Sequence, residues 1–196
     1  EPFLSPSVYA EWCVFKEVKK TNVKVTLDGH GADEILLGYY TFFAPYLSGL
    51  IRKLRFAEYW KAVIGIRNMH GWKLSRLLAM TIRSFLPNWI KVPVLKILGR
   101  PTLYSDWVNT KILAKQSRLD IGMTDKYAEE VSLGQLFHFS VPKQLKWCDR
   151  DSMAHSIESR VPFLDYKLVD FIYSIPVDYK MKRGVTKKIL RDSLSG

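Results

Sequence analysis

Five residues able to do chemistry fall within six positions of the stretch VKVTLDGHGADEILLGYY (Val23–Tyr40): Gly29, His30, Gly31, Asp33 and Glu34. A phosphate cradle of the P-loop kind carries glycine and lysine with free amides. Here the turn ends in two acids, which repel polyphosphate unless a divalent cation lies between them. These residue types fit a carboxylate, Asp33, that faces polyphosphate through Mg²⁺. They equally fit a plain helix cap, with Asp33 and Glu34 at the positive end of the macrodipole and the glycines supplying a tight turn. His30 sits inside the turn, where a titratable ring suggests chemistry. His70, His138 and His155 are scattered without metal-ligand spacing. The spacing supports no Ser-His-Asp or Cys-His arrangement.

A second group of candidates lies near the C-terminus. Lys187 and Lys188 fall in the first turn of an expected helix, with Lys180, Lys182 and Arg183 in a polar turn just upstream. Lysines there oppose the macrodipole, and a bound anion relieves the conflict. The alternative is a solvent-exposed basic turn. Glu158 and Arg160 either pair and brace their loop or leave Arg160 free for a ligand, and Asp149 and Arg150 admit the same two readings.

The elements that must position these groups follow from pattern. Ser7 is a good N-cap for a helix from about Val8 to Lys20. Thr21-Asn22 breaks it before a buried strand carrying Val23, Val25 and Leu27, and helix-turn-strand of this length is half of a βαβ crossover. The turn at Gly29–Gly31 then opens a helix at Ala32, and such strand-to-helix turns are where α/β proteins place ligands. Gly38, Pro45, Ser48 and Gly49 interrupt the uncharged run from Ile35 to Ile51, so it reads as a buried helix and turn and not a membrane span. From Arg52 to Arg118 the spacing is helical, with breaks at Asn68–Gly71 and Pro87-Asn88 and a third helix limited by Pro93, Gly99 and Pro101. Residues 125–139 are helical up to Pro142. Asp151 or Ser152 caps a helix containing Met153, Ala154 and Ile157. Asp165 caps a helix of Leu168, Val169, Phe171 and Ile172, and a last helix starts near Thr186.

At 196 residues, with 47% hydrophobic and 13% aromatic side chains, the chain is large enough for one well-buried domain and is not a disordered polymer. A net charge of +11 favours anionic partners without choosing among them. Most of that charge lies in the basic middle. Its cations spread over several helices, which fits a solvated face of a helical insert better than a nucleic-acid or membrane surface. Cys13 and Cys148 form no C-x-x-C, so a reduced, cytoplasmic setting is expected.

The turn G-x-G-A-D-E, followed by an apolar pair and G-Y, resembles the signature of asparagine synthetases and related ATP-dependent amidotransferases. The block DRDSMAHSIESRVPFLD, then S-I-P, then GVTKKILR resembles the synthetase domain of the same family, and so does the opening E-P-F-x-S-P-S. The likeness covers about residues 1–40 and 143–195. It implies an α/β fold, part of an adenine-nucleotide alpha-hydrolase-like (PP-loop ATPase) synthetase domain, mostly helical with one clear parallel strand. Its expected divisions are residues 1–50, a basic insert at 51–142, and a motif block at 143–196.

The resemblance further implies ATP-dependent conversion of aspartate to asparagine through β-aspartyl-AMP, with ammonia from a glutaminase domain. ATP and Mg²⁺ are the implied cofactors. Asp33 would hold Mg²⁺ on pyrophosphate and Lys187 would stabilise phosphate charge. Gly29 and Gly31 would let the backbone approach the substrate closely. Glu34, Arg150 and Arg160 match motif positions on the ATP and pyrophosphate side, with Asp149 and Glu158 in support. His30 stands where these enzymes commonly carry Glu, and an imidazole there is a candidate base toward a different acceptor. The alternatives are an amidotransferase for another carboxylate, such as a sugar acid or lactam precursor, and a non-catalytic basic binding module. Nucleic acid is not an expected partner, and oligomerisation is left open. The family's Ser-Gly-Gly-x-Asp-Ser loop and glutaminase cysteine are not among these residues. The chain is therefore expected to be an interior piece of a longer enzyme, inactive alone, holding half of a pyrophosphate site.

Overall fold

Helix α1 (Pro6–Val18) opens the computed structural model, which describes residues 5–86 and 127–195. Pro6 occupies the first turn, where its missing N–H is no loss, so the helix starts two residues before the position a Ser7 cap would set. Ser5 stands extended at the N-cap, and its hydroxyl bonds that of Ser7 instead of a helix amide.

Strand β1 (Val25–Leu27) follows, parallel to β2 (Glu158–Arg160), with Val25 opposite Glu158, Thr26 opposite Ser159 and Leu27 opposite Arg160. The strand expected to be buried is not. Val25 is 41% and Leu27 74% exposed. Period-two geometry puts Val25 and Leu27 on one face, while the helices cover the other, where Thr26 and Ser159 lie. The second strand was missed because E-S-R carries no apolar alternation.

The chain divides into two units, Glu1–Tyr40 with Ser132–Gly196, and Thr41–Val131. The sequence divisions at 50/51 and 142/143 fall inside helices, α3 (Phe43–Arg52) and α7 (Val141–Met153). In the first unit, α1 packs on α7, and Phe15, Cys148 and Ile157 are buried together with Val18 against them. A second apolar cluster joins Ile35, Leu36, Leu136, Val141 and Ile172.

The second unit contains α3, α4 (Phe56–His70) and α5 (Leu74–Phe85), which pack on one another around Phe43, Leu47, Tyr59, Val63, Ile66 and Leu77. Pro45, Ser48 and Gly49 do not break a helix, as expected from sequence, but lie within α3. Pro45 falls in its first turn, and Ser48 returns its hydroxyl to the Pro45 carbonyl. Gly71, at φ 67°, ends α4 as the sequence break indicated. Arg52 stacks over the Phe85 ring and Arg76 over that of Trp72, so two cations of the basic middle lie on aromatic faces of their own unit. The third helix expected in this stretch, limited by Pro93, Gly99 and Pro101, lies outside the described residues, as do the cations Lys91, Lys96, Arg100, Lys111, Lys115 and Arg118.

Helix α6 (Ala128–Gly134) runs into a π-helical turn, Gln135–Phe139, which delivers the chain to α7. Pro142 therefore opens a helix instead of ending one, again at a position needing no N–H. Asp151 and Ser152, expected as N-caps, lie in the last turn of α7. The Ser152 carbonyl accepts from the amides of His155 and Ile157 as the chain turns through Ser156 at φ 59° into β2. Beyond the 3₁₀ turn Pro162–Leu164, Asp165 caps α8 (Tyr166–Ser174) as expected, its carboxylate accepting from the amides of Lys167 and Leu168. Short α9 (Val177–Lys180), the hairpin of β3 (Met181–Lys182) and β4 (Val185–Thr186), and α10 (Lys188–Ser193) complete the chain. Lys180 is not part of an exposed turn. It is buried, with its ammonium 4.6 Å from the centre of the Tyr173 ring.

The described chain is thus mostly helical around one parallel strand pair, compatible with the α/β class. No helix among the described residues is long and apolar enough to cross a membrane.

Asp151 gives the first testable consequence. Its Oδ2 is buried without a hydrogen-bond partner. Burial, then the nearby Glu11 carboxylate, push its pKa above the ordinary value, with His155 pulling the other way. An acid whose pKa is raised by folding takes up a proton as the chain folds. Stability therefore rises as pH falls through the raised pKa, and the ionised form opposes folding at neutral pH. Asp151→Asn is expected to raise Tm at neutral pH, with the gap to wild type closing under mildly acidic conditions. Paired thermal melts at the two pH values check it.

Candidate functional site

At the carboxyl end of β1 the turn Asp28–Gly31 and the first residues of α2 (Ala32–Ile35) form one wall of a cleft of about 400 Å³. Ser5, Ser7, Val8 and Glu11 of the α1 segment and Lys143, Gln144 and Trp147 of α7 form the others, with Gly29, His30, Gly31, Asp33, Glu34 and Tyr39 between them. This is the edge of a parallel strand pair at which α/β folds place ligands.

The two glycines of the turn differ in what requires them. Gly31 has φ 88°, and a Cβ there would fall inside the Leu164 side chain. Gly29 has open space where its Cβ would be. Close packing thus accounts for Gly31, while Gly29 leaves backbone open toward the cleft. Gly31→Ala should cost about 1–2 kcal/mol for the left-handed backbone and about 1–3 kcal/mol for overpacking. Gly29→Ala should unfold within about 0.5 kcal/mol of wild type. Urea unfolding of the two variants separates the roles.

Asp33 and Lys187, from opposite ends of the chain, meet as an ion pair with Nζ 2.8 Å from Oδ1, both partly exposed. The Lys187 amide also donates to the Leu36 carbonyl, which ties the start of α10 to the end of α2. The macrodipole conflict read from the sequence is met by this carboxylate: Lys187 stands at the N-cap in a left-handed conformation and reaches an anion. Lys188 turns to Asp192 instead. Gly38 lies directly beneath the pair. A Cβ at Gly38 would strike Asp33 Oδ1 and crowd Lys187 Cε, so this glycine keeps room for the pair. Gly38 is the glycine of the G-Y in the signature, to which the sequence reading gave no role of its own.

Glu34, next in sequence, is 1% exposed. Its Oε1 accepts from the Tyr39 hydroxyl at 2.9 Å, the Ser140 hydroxyl at 2.6 Å and the Gln144 amide at 2.8 Å. Burial first, then the charge of Glu34, push the Tyr39 phenol up to about 12. The π-helical turn matters here, because it sets Ser140 and, one helical turn on, Gln144 against this carboxylate.

His30 is held at both ring nitrogens, with Nδ1 3.0 Å from Gln144 Oε1 and Nε2 3.1 Å from Glu11 Oε1. Nearby Cys148, then the hydrogen bond with Glu11, push its pKa up to about 10 against the opposing effect of burial. That shift favours the imidazolium over the candidate base that the family resemblance implied. Arg150 lies on the exposed face of α7 with its guanidinium 5.8 Å from the centre of the Trp147 ring. Arg160 pairs with Glu158 at 2.8 Å on the open face of β2. Neither arginine lines the cleft. Glu11, Gln144 and Tyr39 do; sequence reasoning passed over the first two and gave no role to Tyr39, the tyrosine of the G-Y in the signature. The available signal was the grouping of Ser7 with Glu11 and of Lys143 with Trp147 at i, i+4 on single helix faces.

For Mg²⁺, the donor chemistry fits. Asp33 offers a hard oxygen at a cleft wall with a lysine beside it, the kind of single carboxylate that holds this ion together with substrate phosphate.

The family model of asparagine synthase matches residues 1–196. Asparagine synthetase [glutamine-hydrolyzing] 1 of Bacillus subtilis is 28% identical across 100% of the chain and 32% of its own length. Asparagine synthetase [glutamine-hydrolyzing] 3 of the same organism is 31% identical across 92% of the chain and 25% of its own length. The asparagine synthetase [glutamine-hydrolyzing] of Bos taurus is 39% identical over 70 residues, 34% of the chain and 12% of that protein. The chain thus spans about a third or less of these relatives. No solved structure matches.

Proposed function

The chain belongs to the asparagine synthase family, and from that premise we propose that it forms part of a PP-loop ATPase-type synthetase domain that activates aspartate with ATP for amidation by glutamine-derived ammonia. The observation that carries this reading is the Asp33–Lys187 pair at the mouth of the strand-to-helix turn, which joins the two segments bearing the family signature.

In the proposed reaction an aspartate β-carboxylate oxygen bonds the α-phosphorus of ATP as pyrophosphate leaves, and ammonia then displaces AMP from the acyl carbon. Lys187 places a positive charge against the phosphate oxygens. Asp33 would hold Mg²⁺, which when bound would supply positive charge against the pyrophosphate oxygens. Gly29 lets backbone approach the substrate, and Glu34 fixes the wall through Tyr39, Ser140 and Gln144. His30, as an imidazolium, presents charge to the acceptor. Arg150 and Arg160, outside the cleft, reach the nucleotide only if the chain around them moves.

ATP–pyrophosphate exchange by the full-length protein tests the assignment. Exchange that depends on aspartate is expected, and its absence would reject the asparagine reading. His30, cationic where the family commonly carries an acid, favours a second reading in which another carboxylate is the acceptor. Exchange driven by a sugar acid or lactam precursor, and not by aspartate, would select it.

A further inference from the structure

Behind the Asp33 wall, three side chains from three elements bring together a carboxylate, an imidazole and a thiol: Glu11 on α1, His30 in the turn after β1, and Cys148 on α7. One donor atom from each lies within 4.8 Å of the others. Glu11 and His30 open onto the cleft, whereas Cys148 is buried beneath them. Thiolate, imidazole and carboxylate together suit a divalent ion of the zinc class and not a hard alkaline-earth ion.

The hydrogen bonds fix which nitrogen of His30 is available. The Gln144 amide nitrogen donates to Glu34, so its carbonyl oxygen faces His30 Nδ1, which must carry the hydrogen. Nε2 then faces Glu11 Oε1, itself only an acceptor, across a proton in the metal-free site. A metal ion can take the place of that proton, since either supplies the positive centre that two acceptors 3.1 Å apart need. A ligating histidine whose other ring nitrogen donates to a fixed oxygen is the usual outer support of such an ion. The Cys148 sulfur lies 3.1 Å from the Ser159 hydroxyl and donates its S–H to Asp28 Oδ2 at 3.4 Å, a bond given up when the thiol loses its proton to a metal ion. Tetrahedral Zn–N and Zn–S bonds of about 2.0 and 2.3 Å imply ligand-to-ligand spans of about 3.3–3.8 Å. Closing the three donors onto one ion therefore takes side-chain shifts of about 1 Å.

We propose that Glu11, His30 and Cys148 form a binding site for one zinc-class divalent cation, with a fourth coordination position open to the cleft. Binding releases the proton from His30 Nε2 and the thiol proton of Cys148. The site stands apart from the Asp33–Lys187 pair, and its cation would take over the charge that His30 presents to the acceptor as an imidazolium in the metal-free protein.

Cobalt titration of the full-length protein reads it directly, with zinc added in competition. The expected result is saturable binding with the visible bands of a tetrahedral ion and a near-ultraviolet thiolate-to-cobalt band, both displaced by zinc. Cys148→Ser should remove the thiolate band, Cys13→Ser should keep it, and Glu11→Gln should keep it with affinity at least about tenfold weaker. Glu11→Gln changes only a cleft-wall side chain, so it remains decisive if Cys148→Ser does not fold. Absence of the thiolate band in the wild type, its loss with Cys13→Ser, or wild-type affinity in Glu11→Gln would each overturn the site. Pyrophosphate exchange measured on the same preparations separates this outcome from that of the ATP reading.

Discussion

Asp33→Asn in the full-length protein is expected to lower carboxylate-dependent ATP–pyrophosphate exchange by roughly 10²–10³-fold, the loss typical when a charge-stabilising group is removed from an active site. Its Tm should change little. Asp33 and its partner Lys187 are both partly exposed, and a pair so placed contributes at most about 1 kcal/mol. Activity and stability therefore separate, which distinguishes a ligand-facing carboxylate from a helix-capping one. Gly38→Ala provides an independent arm, since a methyl group there displaces Asp33 Oδ1 while leaving its charge in the chain. It should lose exchange as well. Adding Lys187→Ala to Asp33→Asn should cost less than the product of the single effects, because the two groups act on one phosphate. Exchange at the wild-type rate in Asp33→Asn would reject the role.

The contrast among neighbouring residues shows why part of this site was legible and part was not. Glycine-acid order located the strand-to-helix turn and set Asp33 at its end, while leaving open whether that acid caps a helix or faces a cation. Asp165 was equally plain, since a carboxylate two and three residues ahead of free helix amides has one obvious use. Pro142, Asp151 and Ser152 misled for the converse reason. Proline opens helices as readily as it ends them, and an acid or serine can close a last turn as well as start a first one. Strand β2 is three residues of polar character, and its pairing with β1 depends on contacts across the whole length of the chain. Gln144, Glu11 and Cys148 were unreadable in another sense, as was the packing role of Gly38. Each acquires its meaning only from a side chain delivered by a different element, so local spacing carries no trace of it.

Glu34 carries the second large prediction, on stability. Three donors converge on one buried oxygen, and its own backbone carbonyl accepts from Ser132 at 2.7 Å. Glu34→Ala strands the Tyr39 and Ser140 hydroxyls and the Gln144 amide in a place water does not readily fill. Leaving such partners unsatisfied costs about 1–3 kcal/mol each where they cannot re-pair. Since Ser140 and Gln144 still bond each other at 2.6 Å, a loss of about 2–4 kcal/mol in all is expected. Glu34→Gln keeps the length and one acceptor and should lose about half as much. Urea unfolding gives both values. A second readout identifies the cause, because removing the Glu34 charge should let the Tyr39 phenol titrate below about 12 even though burial still holds it above an exposed tyrosine. A spectrophotometric tyrosine titration of Glu34→Gln measures that shift. Were Glu34→Ala as stable as wild type, the network would be incidental, and the wall that presents Asp33 would owe its rigidity to apolar packing of Ile35 and Leu36 alone.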